Sequence, residues 1–174
     1  RNGHGGWVLS VQADGCSPVA TAFAEGWDVC KPQRPDTIAK SLAIGDPADG
    51  PYALDLARST GGVIESVTDD EIRDGIRLLA ETTGVFTETA GGVTVAVLAK
   101  LAEAGQIPSE ERVVTYITGE GLKTLDAARE AFNIALAAVD GHSGEPGLYR
   151  NYRLRPIRQT EVAAAIKSAA TRSR

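Results

Sequence analysis

The chain has 174 residues, 43% of them hydrophobic and 24% charged, with a formal charge of −5. This describes one globular domain with a sizeable core, and it argues against a nucleic-acid or anionic-membrane partner, because no basic stripe precedes the short Arg-rich tail. No apolar run is long enough to span a bilayer, and two cysteines with two well-separated histidines leave a structural zinc site almost nothing to be built from. Cys16 and Cys30 form neither a metal-ligand spacing nor a disulfide-rich pattern, which favours a reducing, cytoplasmic setting. The start at Arg1 and the absence of Met suggest a processed chain or a fragment, and "RNGHGG" is neither a signal nor a transit peptide.

In chain order, "WVLSVQ" (Trp7 to Gln12) is a short strand. "SPVATAFAEG" is a helix with Ser17 as N-cap and Pro18 at its first position. Two prolines make Trp27 to Asp36 a loop, and "TIAKSLAIGDPADGP" adds a brief helical turn and a second loop. "YALDLARSTG" is a helix closed by Gly61, followed by the strand "GVIESV". Thr68 and Glu71 make a capping box, and Ile72, Ile76, Leu79 and Ala80 form a stripe at helical spacing, which predicts a helix from about Asp69 to Thr83. "GVF" reads as a very short strand, "AGGVTVAVLAKLAEAG" as a helix ending at Gly105, and "RVVTYI" as a strand. "LKTLDAAREAFNIALAAVDG" reads as a long helix ending near Gly141. Residues 141–174 are a loop and a helical tail capped by Thr160. Strands separated by helices of ten or more residues imply βαβ units. The expected fold is therefore α/β, a three-layer, mostly parallel sheet with helices on both faces.

The familiar nucleotide and hydrolase motifs are missing. There is no P-loop and no G-x-S-x-G elbow, and Gly119-Glu120-Gly121 supplies only the first two glycines of a dinucleotide fingerprint. His4 and His142 lie in Gly-rich loops, where a solvated histidine is the ordinary case. Asp69, Asp70 and Glu71 have a sufficient reason in the dipole of the helix they begin. Spacing alone leaves "YITGEGLKT" open between a strand-to-helix turn and a cofactor cradle beyond a strand's carboxyl end.

Four segments, in order, carry a resemblance: "VQADGCSPVATAFAEG", "PDTIAKSLAIGDPADG", "GVFTETAGGVTVAVLAKL" and "ITGEGLKT". Together, over roughly residues 7–126, they resemble the C-terminal half of threonine synthase, a fold-type II (tryptophan synthase β-like) pyridoxal-phosphate enzyme. The resemblance implies pyridoxal 5'-phosphate as cofactor and O-phosphohomoserine as substrate, with the N-terminal half of the same enzyme as partner, and it is compatible with a homodimer. It implies that Thr118 directs its hydroxyl at the pyridine nitrogen and that Gly119 keeps backbone close to the ring edge. Glu88 would stand beside the cofactor, and Thr37, Ile38 and Ala39 would wall the other side of the ring. The bottom-up alternatives are a helix cap for Thr118 and a first-turn carboxylate for Glu88.

Two departures stand out: Thr89 where the family commonly has Pro, and Glu120 where it has a neutral or basic residue. Glu120 is expected to face solvent, since a carboxylate near phosphate-bearing molecules repels them. The family's cofactor-bearing lysine lies on an S-x-K-D-R-like segment, and none of Lys31, Lys40, Lys100, Lys123 and Lys167 has that context. No catalytic residue is therefore assigned in this chain, which is expected to be inactive alone, as one partial catalytic unit over residues 1–174. The competing reading is a non-catalytic module that binds a phosphorylated small molecule or a protein partner. Among enzymes the rival is a threonine dehydratase-like lyase, whose relatives typically carry Ser-Gly-Gly at the ring-nitrogen turn.

Overall fold

The computed structural model describes residues 6–108 and 110–131. His4, His142, the later part of the long helix, the 141–147 loop and the helical tail lie outside the described residues. Strands β1 (Leu9–Ala13) and β2 (Val63–Val67) pair in parallel, in register from Leu9 opposite Val63 to Ala13 opposite Val67. The parallel direction requires a crossover. It is supplied by α1 (Pro18–Ala24), a 3-10 turn at Lys40–Leu42 and α2 (Gly50–Thr60), which ends on Gly61 as expected.

The two-residue period of a strand divides the core. Ile64 faces Val19, Ala20, Ala22, Leu54 and Ala57 of α1 and α2. Val67, with Ala13 of β1, faces the opposite cluster, built on α3 (Asp69–Thr83) and α4 (Thr89–Glu103). Helices thus cover both faces of the parallel pair, which is the expected α/β layering. Among the described residues no helix is long and apolar enough to cross a membrane.

Helix α3 has the predicted bounds and the predicted cap. Glu71 N donates to Thr68 Oγ1 at 3.3 Å and Thr68 N to Glu71 Oε2 at 2.7 Å. Its stripe residues Ile72 and Ile76 are fully buried. Where α3 crosses α4 the backbones approach through glycines. A Cβ on Gly92 would fall 2.7 Å from Ile76 Cγ1 and 2.8 Å from Ile72 O, and one on Gly75 would fall 3.0 Å from Ala96 N.

Four local expectations are corrected. Ser17 stands at the N-cap of α1 but makes no capping bond; its hydroxyl donates to Asp14 O at 3.3 Å. The free amides of that first turn are met instead by Gln12 Oε1, which accepts from Val19 N at 2.9 Å and Ala20 N at 2.8 Å. Residues 112–117 form no strand among the described residues, and Val114 and Tyr116 are 78% and 80% exposed. A β-rich run becomes a strand only when a neighbouring edge accepts its hydrogen bonds, and no described strand lies beside it. "GVF" likewise forms no strand; Thr87, the next residue, makes a single antiparallel bridge to Glu120. The helix expected from Leu122 opens as a 3-10 turn, Gly121–Thr124, before α5 (Leu125–Ala131). Arg73 ties α5 to α3 through Glu130 at 2.6 Å.

Candidate cofactor site

The Thr118–Gly121 turn is docked on the entry to α4. Gly121 N donates to Phe86 O at 3.2 Å, and Thr87 Oγ1 donates to Gly119 O at 3.3 Å. Gly119 has φ +79°, a left-handed conformation that glycine takes without cost. Its open side is filled by Glu88, whose Cγ would lie 2.7 Å from a Cβ at position 119. Gly119 and Glu88 are therefore brought together, by one turn and one helix N-terminus.

Glu88 occupies the N-cap position of α4 but forms no side-chain cap bond. It is 7% exposed, and its Oε1 lies 3.9 Å from Lys123 Nζ. A carboxylate this buried needs a counter-charge, and Lys123, from the same G-L-K-T segment, supplies it.

Thr118 is exposed, and among the described residues its hydroxyl makes no hydrogen bond. It does not cap the following 3-10 turn, whose N-cap is Glu120. Glu120 is exposed, as expected. The Thr89 departure acquires a physical meaning: Thr89 N donates to Thr124 Oγ1 at 3.3 Å, a bond that proline, lacking the N–H, cannot make. The Thr89 hydroxyl, fully buried, has no hydrogen-bond partner among the described residues.

The Thr37–Ala39 loop is a second cluster, joined to the first by no hydrogen bond among the described residues. Its link is packing, because Ala39 shares a core with Val93, Ala96 and Val97 of α4. The loop lies close to the carboxyl ends of both strands. Asp36 N donates to Gly15 O at 2.8 Å, just past β1, and Thr37 Oγ1 donates to Asp69 Oδ1 at 2.6 Å, just past β2. That is where open α/β sheets bind ligands.

One contributor to the Thr37–Ala39 loop was not singled out as functional from sequence, Asp69. Asp69 had already been accounted for by the helix dipole, and its partners lie more than thirty positions away.

Pyridoxal 5'-phosphate fits the first cluster by donor chemistry. The uncommitted Thr118 hydroxyl offers one neutral donor to a ring nitrogen, beside a glycine turn whose free side is already closed by Glu88. Thr37 offers nothing comparable, since its hydroxyl is committed to Asp69, so what its loop presents is backbone and the small Ala39.

Comparison with known proteins shows the family. The family model described as pyridoxal-phosphate dependent enzyme matches residues 5–119. The chain is similar to the threonine synthase of Methanocaldococcus jannaschii, with 44% identity over 125 residues, covering 71% of this chain and 31% of that protein. It is similar to the threonine synthase of Bacillus sp. (strain ULM1), with 40% identity over 107 residues, 62% of this chain and 30% of that one. The chain thus spans about a third of the length of these curated relatives. Among solved structures, a fungal L-serine ammonia-lyase from Rhizomucor miehei has the same fold, with a TM-score of 0.53 and 23% identity over 71% of this chain and 40% of that one.

Proposed function

The chain belongs to the pyridoxal-phosphate-dependent enzymes, matched from residue 5 to residue 119, and on that premise we propose that it is the C-terminal portion of a threonine-synthase-like enzyme. The whole enzyme would convert O-phosphohomoserine and water to threonine and phosphate, in a reducing cytoplasm. The observation that carries the reading is the packing of Gly119 on Glu88, which joins the T-G-x-G-L-K turn to the F-x-E segment in one site.

The cofactor, when bound, supplies the electron sink for carbanion chemistry on the substrate. In this chain, Thr118 would donate a hydrogen bond at the ring nitrogen without being acidic enough to protonate it. Lys123 holds the Glu88 carboxylate in place, so Glu88 can stand beside the ring without turning toward solvent. The Thr37–Ala39 loop would close the other side and exclude water. Because no lysine here stands in the cofactor-bearing context, catalysis falls to this chain only together with the N-terminal half.

The test joins the chain to that half, taken from the upstream coding sequence or from a threonine synthase relative, and follows O-phosphohomoserine. Release of equal amounts of threonine and phosphate is expected. An assembled enzyme that ignores O-phosphohomoserine and instead deaminates threonine or serine would replace this reading with the dehydratase one.

A further inference from the structure

We propose that Asp69 is a positioning residue, whose carboxylate holds the Thr37–Ala39 loop where the cofactor needs a wall. The inference rests on the proposed function for the identity of what the loop faces. The clamp itself rests on geometry alone.

Three carboxylates open α3, and a dipole effect would treat them alike. The structure separates them. Glu71 completes the capping box. Asp70 is 93% exposed and pairs with Arg73 at 2.8 Å, one turn on. Asp69 commits both oxygens to a distant loop, Oδ1 accepting from Thr37 Oγ1 at 2.6 Å and Oδ2 from Ile38 N at 3.1 Å. Thr37 Oγ1 in turn accepts from Ala39 N at 3.1 Å. One carboxylate therefore orders three consecutive residues, through a short charge-assisted bond and the two amides behind it.

The loop needs an external anchor. Pro32 and Pro35 have no N–H to offer, and the nearest regular element is the single 3-10 turn Lys40–Leu42. Asp69 is a good anchor because α3 is rigid at that point, capped by Thr68 and rooted by the buried Ile72. A site-forming loop tied to a helix's first turn is held more closely than one tied to another loop.

The experiment compares Asp69→Asn with Asp70→Asn. Both remove one first-turn charge, but only the first removes an acceptor that the loop uses. Residue-resolved amide hydrogen exchange on the 174-residue chain is expected to show Ile38 and Ala39 exchanging about tenfold faster in Asp69→Asn, the equivalent of roughly one net hydrogen bond. Asp70→Asn, which removes the ion pair with Arg73 instead, should leave them unchanged. Thr37→Val should reproduce the loop effect, and Thr37→Ser should restore protection.

In the assembled enzyme, Asp69→Asn should weaken pyridoxal 5'-phosphate binding about tenfold relative to Asp70→Asn, on the same reckoning. Equal loop exchange in the two Asn variants would overturn the clamp. Selective loop release with unchanged cofactor affinity would overturn its positioning role. An unsubstituted assembly that binds no cofactor would count against the proposed function, while the exchange comparison still decides the clamp.

Discussion

The carboxylate arm of Glu88 fills the space that a side chain on Gly119 would need, so the two residues are complementary in shape as well as adjacent. Gly119→Ala would meet two penalties, a left-handed φ of +79° and a clash with Glu88. A loss of about 1–3 kcal/mol is expected by denaturant unfolding. Glu88→Ala should remove the steric part, so the double variant should be less destabilised than the sum of the singles. Strict additivity would show that the contact is not what requires glycine.

Thr118 is exposed and its hydroxyl makes no hydrogen bond among the described residues, so Thr118→Val should change stability by no more than about 0.5 kcal/mol. In the assembled enzyme the same change should cost about one to two decades in rate, the loss of one hydrogen-bond donor acting at the transition state. Thr118→Asp should act differently, because an acid there raises the proton affinity of the ring nitrogen and shifts product partition from threonine toward a keto-acid by-product. Unchanged rate and partition in both variants would remove Thr118 from the site.

The orphaned hydroxyl of Thr89 yields an expectation of opposite sign. Thr89→Val keeps the shape and the N–H bond to Thr124 while removing a buried polar atom that has no partner among the described residues. The chain should gain about 1 kcal/mol, or roughly 2–4 °C in Tm for a domain of this size. A loss of stability would mean that the hydroxyl is satisfied in solution.

Burial raises the pKa of the Cys16 thiol, and burial together with the nearby Asp46 carboxylate raises that of Cys30. The unfolded chain therefore ionises first. The contribution is fully present below the ordinary thiol range and is lost as pH rises through it toward the raised folded values. Stability should be flat near neutrality and decline above about pH 9. Part of that decline should disappear in Cys30→Ser. Alkylation at pH 7 should be slow, and slower at the buried Cys16. Rapid labelling of Cys16 in the folded chain would contradict this.

What the sequence made legible was local. Thr68 and Glu71 lie three residues apart, and the helix they cap has the bounds expected of it. Gly61 and the alternation across Ile64 and Val67 were equally readable, because each depends on neighbours in the chain. The failures were non-local. Whether 112–117 becomes a strand depends on a partner edge, and Ser17 lost the capping role to Gln12, which reaches in from β1. The site divides the same way. Gly119 and Glu88 could be named from their motifs, whereas the anchoring of Thr37 by Asp69, across 32 positions, became visible only in three dimensions.

The most direct test of the central claim is reduction with borohydride in the presence of pyridoxal 5'-phosphate, followed by peptide mapping and an assay with O-phosphohomoserine, on the chain alone and on the chain joined to the N-terminal half. Alone, the chain should carry no stoichiometric adduct on any of its lysines and should make no threonine. Joined, the adduct should appear on a lysine of the added half, and threonine and phosphate should form together. A single stoichiometric adduct on a lysine of the isolated chain, with turnover, would contradict the assignment of this chain as a partial site.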